Sequence, residues 1–188
     1  MAYRITLIPG DGTGPEIVAA TRLVLEATGV QFDWDLQDAG ADVVKRYGTP
    51  LPEPVLDSIR ANRVALKGPI TTPIGTGFRS VNVAIRKALD LFANLRPARS
   101  ISGIPVCHEG VDLIVVRENT EDLYAGIEFP EGSDGARKLI DFAAAEGAGT
   151  IRPDSGISLK PISITGPRRI VKYAFDYAIA NGRKTVTA

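Results

Sequence analysis

The sequence predicts an α/β protein, on three observations: an opening strand broken by glycines before a helix, an alternation of strand and helix through about residue 67, and a strand-rich stretch from Leu91 onward. Residues 3–9 (YRITLIP) are a β-rich apolar run halted by Gly10, Gly12, Gly14 and Pro15, after which Ile17, Val18, Thr21 and Leu25 recur at helical spacing. Residues 31–36 read as a second strand, 39–47 and 53–62 as helices, and 64–67 as a short buried strand. Residues 68–79 hold too many Pro, Gly and Thr punctuators for a regular element, so a loop precedes the helix that Ser80 caps and that runs to about Asp90.

From Leu91 strands are expected near 91–99, 111–117, 123–129 and 156–165 with little helix between them, which predicts an antiparallel or mixed β region. Residues 130–156, rich in Gly and Ala, read as a strand around 138–145 or a loose excursion. A helix follows over 168–181 with Ile170, Tyr173, Ala174 and Tyr177 on one face, and 184–187 (KTVT) begin a further strand. A strand cut at its own end leaves an edge without a partner, so the expectation is that these residues belong to a longer protein.

With 188 residues, 44% of them hydrophobic, the chain has enough apolar material for one domain or two small ones. Lys plus Arg equals Asp plus Glu at 22 each, so no global field draws it to nucleic acid or to an anionic membrane, and no apolar run reaches spanning length. Cys107 is the only cysteine, which excludes an internal disulfide and a Cys-rich zinc site. The start carries no leader-like pattern; a reducing cytoplasm is the expected setting.

Gly10-Asp11-Gly12-Thr13-Gly14 after a strand invites a dinucleotide-loop reading, and Asp33 or Asp35 stands about twenty residues on, where a ribose-binding acid would sit. The spacing fails, because only Thr13 separates the second and third glycines. A tight turn, with glycines supplying positive φ and Pro15 in the first helical turn, is the simpler reading.

A basic set surrounds Ser80. At a helix start, backbone N–H groups and the positive end of the dipole favour an anion. Asn82 lies in the first turn and Arg86 four residues on, so both face one side of that helix. Arg96 follows on the next strand, and Arg117 ends the apolar run Leu113–Val116. Singly these residues read as a cap and solvated charges. Together, three arginine forks and an N-cap donor set suit a small polycarboxylate.

These strings resemble the β-decarboxylating 2-hydroxyacid dehydrogenases, the family of isocitrate, 3-isopropylmalate, homoisocitrate and tartrate dehydrogenases. The resemblance covers the whole chain: IPGDGTGPE at 8–16, Lys67-Gly68-Pro69, Thr71-Thr72-Pro73, LFANLRP at 91–97 and RENTEDLY at 117–124 stand in family order. Ser80-Val81-Asn82 and LYAGIE at 123–128 are similar to the isocitrate-acting branch. The resemblance implies an isopropylmalate-dehydrogenase-like fold, with a large mixed sheet flanked by helices, here incomplete, and a smaller α/β domain bearing a β arm that clasps a dimer partner. Residues 1–97 would supply the amino-terminal part of the large domain and 98–188 most of the small one, the carboxy-terminal half being absent.

It further implies oxidative decarboxylation of isocitrate to 2-oxoglutarate with NAD or NADP and Mg²⁺ or Mn²⁺. Hydride leaves C2 and the β-carboxylate is then lost. Ser80, Asn82, Arg86, Arg96 and Arg117 resemble the substrate ligands, Thr71 and Thr72 residues near the nicotinamide, and Tyr124 the acid that protonates the enol left by carbon dioxide. No metal ligand is assigned within these residues, and Glu118, Glu121, Asp122 and Lys160 match no motif for one or for the catalytic lysine. Ser80 also matches a position that a kinase phosphorylates in some relatives, where a phosphate would repel a substrate carboxylate. A homodimer is the implied assembly. The alternatives are a sister enzyme acting on homoisocitrate or 3-isopropylmalate, and a non-catalytic tricarboxylate-binding or partner chain.

Overall fold

The computed structural model describes residues 2–71 and 80–188. They divide into two compact units, Met1–Leu91 and Phe92–Ala188, with the boundary ahead of a strand where the sequence expectation places it after residue 97.

The first unit is built on β1 (Tyr3–Ile8), α1 (Gly14–Glu26), β2 (Phe32–Leu36), α2 (Val44–Tyr47), α3 (Glu53–Asn62), β3 (Ala65–Lys67) and α4 (Val81–Ala88). Its sheet has the order β2-β1-β3 and is parallel throughout, Tyr3–Leu7 pairing with Phe32–Leu36 and Thr6–Ile8 with Ala65–Lys67. The helix expected over 39–47 is a 3-10 turn at Ala41–Val43 running into the single turn of α2, which ends on Gly48 in the left-handed region. The apolar core gathers Ile8, Ala39, Val55, Leu56, Val81 and Ile85, so α3 and α4 are clamped against the end of β1. Burial of Val81 and Ile85, 1% and 7% exposed, fixes which way the rest of α4 faces.

Beneath the sheet runs a polar seam. Thr6, fully buried, shares a 2.7 Å hydrogen bond with Ser58 Oγ, and the Asn62 amide donates to Thr6 Oγ1 and to Asp35 Oδ2. Bonds donated by Ser58, Gln37 and Asn62 hold the Asp35 carboxyl below its ordinary pKa. These contacts tie β1, β2 and α3 together.

The second unit contains β4 (Ala93–Arg99), β5 (Asp112–Glu118), β6 (Ile127–Phe129), α5 (Asp134–Ala145), β7 (Ile157–Leu159) and α6 (Thr165–Ala180). Both of its sheets are antiparallel pairs, β4 with β5 and β6 with β7, the first of the two arrangements expected from Leu91 onward. Four element readings change, the first being that the strand expected near 156–165 is only the three residues of β7. Residues 138–145 belong to helix α5, whose N-cap Ser133 accepts a hydrogen bond from Ala136 N–H. The strand expected over 123–129 is a 3-10 turn at Asp122–Tyr124 followed by the three residues of β6. Residues 184–187 form no strand; Arg183 turns back to donate to Asp112 Oδ1 at 2.7 Å and to its carbonyl at 3.0 Å. Residues 185–187 instead line a hollow of about 380 Å³ beside β5 and α6. A β-prone segment becomes a strand only where a neighbouring edge supplies the ladder.

Candidate functional site

In the first unit the glycine turn is a structural close approach. Gly10 has φ +78°, and a Cβ there would lie 1.8 Å from the Pro69 carbonyl oxygen, which also accepts the Asp11 N–H at 3.2 Å. Asp11 then reaches across: its carboxylate accepts the N–H of Thr71 at 2.7 Å and of Ala41 at 3.2 Å. Burial alone would raise the Asp11 pKa, but the hydrogen bonds from Thr71 and Ala41 outweigh it and hold the group below its ordinary value. The turn therefore anchors the start of the segment that leads to α4. Thr71 is exposed at that anchor, whereas Thr72 lies outside the described residues.

Ser80 occupies the N-cap position of α4, extended at φ −52° and ψ 124°, but its hydroxyl makes no capping hydrogen bond. Asn82 and Arg86, one helical turn apart, line the same cavity of about 190 Å³ together with Lys67 and the apolar side chains of Ile8, Ile59, Ile85 and Leu89. That space equals about six waters at roughly 30 Å³ each. Asn82 Oδ1 is buried with no hydrogen-bond partner among the described residues. Turning the amide over presents its two N–H donors to the same spot. Lys67, quoted above only as part of a motif, is thus a third polar group of the cavity. Burial, and then the nearby Arg86 charge, lower its pKa against the opposing pull of Asp11. The arrangement offers cationic and amide donors over an apolar floor, which is a setting for one arm of an anion.

In the second unit the register of β4 and β5 puts Asn94 opposite Arg117 and Arg96 opposite Val115, so Arg96 and Arg117 share one face of the ribbon as diagonal neighbours. Arg96 is exposed; Arg117 is half-buried, with its guanidinium carbon 5.0 Å from the centroid of the Tyr124 ring. Arg117 Nη2 donates a long 3.4 Å bond to Asn119 Oδ1, and its buried Nε has no partner among the described residues. The structure thus brings the expected Arg96, Arg117 and Tyr124 to one place, with guanidinium donors still to be satisfied.

The acids of the RENTEDLY segment are spent on holding it. Glu118 accepts the N–H groups of Thr120 and Glu121 at 2.8 and 2.9 Å and the Thr120 hydroxyl at 2.5 Å. Burial pushes the Glu118 pKa up, yet these bonds more than offset that and leave it lowered. Glu121 accepts the Ser163 N–H and hydroxyl. Arg169 on α6 donates to Thr120 Oγ1 at 2.8 Å. The Glu121–Ser163 and Arg169–Thr120 contacts leave no sign in the sequence spacing, since their partners lie 42 and 49 residues apart. Among the described residues no three His, Cys, Asp or Glu side chains gather as a metal site, so a divalent ion has no ligand set to fit there. Nor is any described helix long and apolar enough to cross a membrane.

The chain matches the Isocitrate/isopropylmalate dehydrogenase family over residues 4–188. It is 50% identical over 190 residues to an isocitrate dehydrogenase [NADP] of Archaeoglobus fulgidus, an alignment covering 97% of this chain and 46% of that protein. A structure of isocitrate dehydrogenase from Methylococcus capsulatus superposes with a TM-score of 0.81 at 50% identity, over 98% of this chain and 49% of that one. A β-decarboxylating dehydrogenase from Thermococcus kodakarensis gives a TM-score of 0.68 at 30% identity, over 96% of this chain and 46% of its own. The chain spans about half the length of the curated relatives it matches. It belongs to the isocitrate/isopropylmalate dehydrogenase family and carries that family's α/β fold in part.

Proposed function

We propose that these residues form part of an NADP-dependent isocitrate dehydrogenase that decarboxylates isocitrate to 2-oxoglutarate, and that within it they bind the substrate carboxylates and deliver a proton. The observation that carries this reading is the stacking of Arg117 on Tyr124 with Arg96 on the same face, which sets a phenol beside unspent carboxylate-binding donors. Ser80, Asn82 and Arg86 on α4 are the proposed partners of the γ-carboxylate, and Arg96 and Arg117 of the remaining carboxylates. Residues 1–97 are proposed as part of the large domain and 98–188 as most of the small one, in a homodimer.

NADP, when bound, accepts the hydride from C2 of isocitrate; Thr71, and Thr72 by its place in the motif, are the residues proposed beside the nicotinamide. Once carbon dioxide has left, the Tyr124 hydroxyl gives its proton to the enol carbon, and the ring contact with Arg117 keeps the phenol aimed. The divalent ion of the family, Mg²⁺ or Mn²⁺, finds no ligand set among the described residues, so no step here runs through it. The coenzyme is proposed as NADP because the name of the Archaeoglobus fulgidus relative carries it. A cytoplasmic location is proposed from the single cysteine, and phosphorylation of Ser80 from the resemblance.

The test is NADPH formation. A complete enzyme carrying these residues should reduce NADP with isocitrate faster than with homoisocitrate or 3-isopropylmalate, while the 188-residue polypeptide alone should give no turnover above background. Preference for another acid sinks the substrate assignment. Turnover by the 188 residues sinks the claim that further groups are needed.

A further inference from the structure

Arg117 stands near the end of β5, and Tyr124 follows on a segment with little regular structure of its own. It leaves β5 at Glu118, and Tyr124 ends a three-residue 3-10 turn that opens on Asp122 at φ 54°, a left-handed conformation unusual for a residue with a side chain. Such a turn keeps one geometry only if its surroundings hold it. Three contacts from outside do so. Glu121 grips the Ser163 N–H and hydroxyl, and Ser163 Oγ in turn accepts the Gly166 N–H at 2.9 Å in the first turn of α6. Asp122 N–H donates to the Pro161 carbonyl at 3.1 Å. The third contact is Arg169, in the first half of α6 and outside the motifs above.

The Arg169 guanidinium lies 4.4 Å from the Phe92 ring centroid, donates to Thr120 Oγ1 at 2.8 Å and stands 3.8 Å from Glu118 Oε1. Thr120 Oγ1 spends its single proton on Glu118, so one hydroxyl joins α6 to the carboxylate around which residues 118–121 turn. Inside that turn sits Asn119, 4% exposed, whose Oδ1 accepts from Arg117. The chain of contacts therefore runs Arg169, Thr120, Glu118, Asn119, Arg117, Tyr124. Every member belongs to the second unit.

We propose that Thr120 and Arg169 are positioning residues: through the Glu118 turn they set the orientation of the Arg117–Tyr124 pair, and so the delivery of the tyrosine proton. The inference rests on the functional reading above. It requires no new chemistry at Thr120, whose proton stays in its bond to Glu118.

The test uses the complete enzyme with isocitrate and NADP. Thr120→Val keeps the shape and deletes the hydroxyl; Thr120→Ser keeps the hydroxyl; Arg169→Gln removes the charge. Because misplacing a catalytic group by about 1 Å costs up to roughly 100-fold, Thr120→Val and Arg169→Gln should lower kcat at least about tenfold. Both should also enlarge the solvent deuterium isotope effect on kcat, as proton delivery becomes more limiting, and Thr120→Ser should restore both to within about twofold of wild type. A purely structural role would lower the unfolding temperature and leave kcat and its isotope effect untouched. That result, in either Thr120→Val or Arg169→Gln, overturns the inference, and the second variant decides if the first fails to fold. Wild-type enzyme without isocitrate turnover would instead overturn the functional reading and the inference with it.

Discussion

Replacing Gly10 by alanine tests whether the opening glycine turn is a packing device. The new methyl would sit 1.8 Å from the Pro69 carbonyl oxygen and 2.8 Å from its carbon, with the backbone held at φ +78°. A side chain in the left-handed region costs about 1–2 kcal/mol, and overpacking against backbone about 1–3 kcal/mol more. Pushing the Pro69 carbonyl aside also removes the bond it accepts from Asp11 N–H, worth about 1 kcal/mol. The total of about 3–6 kcal/mol is a large part of the roughly 5–15 kcal/mol that holds a domain folded. Gly29 supplies the control: its φ is +81°, but nothing lies within 4 Å, so alanine there meets only the conformational cost. Urea-unfolding midpoints of the complete enzyme should therefore fall at least twice as far for Gly10→Ala as for Gly29→Ala. Equal shifts would refute the close-approach argument. A Gly10→Ala protein with a wild-type midpoint and weakened NADP binding would bring back the cofactor-loop reading.

Three further outcomes are expected. Arg117→Lys keeps the charge but loses the planar fork over Tyr124, so kcat/KM for isocitrate should fall by roughly 10- to 150-fold, the equivalent of one charged hydrogen bond at about 1.5–3 kcal/mol; steady-state kinetics with an unchanged value would count against the carboxylate role. Asp35 has a lowered pKa, so its contribution to stability is present above its unfolded value of about 3.9 and is lost as pH falls below that through the folded value. Urea midpoints measured across that acid range should fall more steeply for wild type than for Asp35→Asn, and parallel curves would contradict the seam. Val81→Ala empties a site 1% exposed beside Asn82 and should cost about 2 kcal/mol by urea unfolding while raising KM for isocitrate; a raised KM with no loss of stability would detach α4 placement from its core.

Much of the first unit is legible in the sequence because its signals are local. The apolar run 3–9, the breakers Gly10 to Pro15 and the spacing of Ile17, Val18 and Leu25 each act within one element, and β1, α1 and the β2 and β3 segments stand where those signals put them. The helical face shared by Asn82 and Arg86 is equally local. Residues 138–145 were harder, because Gly135, Gly147 and the run Ala143 to Ala145 blur the helical period, and only Ser133 marks a start. Tyr124 is a tyrosine in a β-prone string, yet Glu118 bends that string into a turn through bonds to its near neighbours, and Glu121 holds it there through a bond to the distant Ser163. Lys67 and Arg169 carry no sign in periodicity, since what they do depends on α4 and on the 118–121 turn, which only tertiary structure brings to them.

The most direct measurement of the central claim is the effect of Tyr124→Phe on the complete enzyme, with isocitrate affinity read by calorimetry and turnover by NADPH formation. Removing a positioned general acid typically costs about 10²- to 10⁴-fold, so kcat should fall by that order while the isocitrate Kd stays within a few-fold of wild type, Arg117 and the α4 residues being intact. Undiminished turnover in Tyr124→Phe would contradict the account.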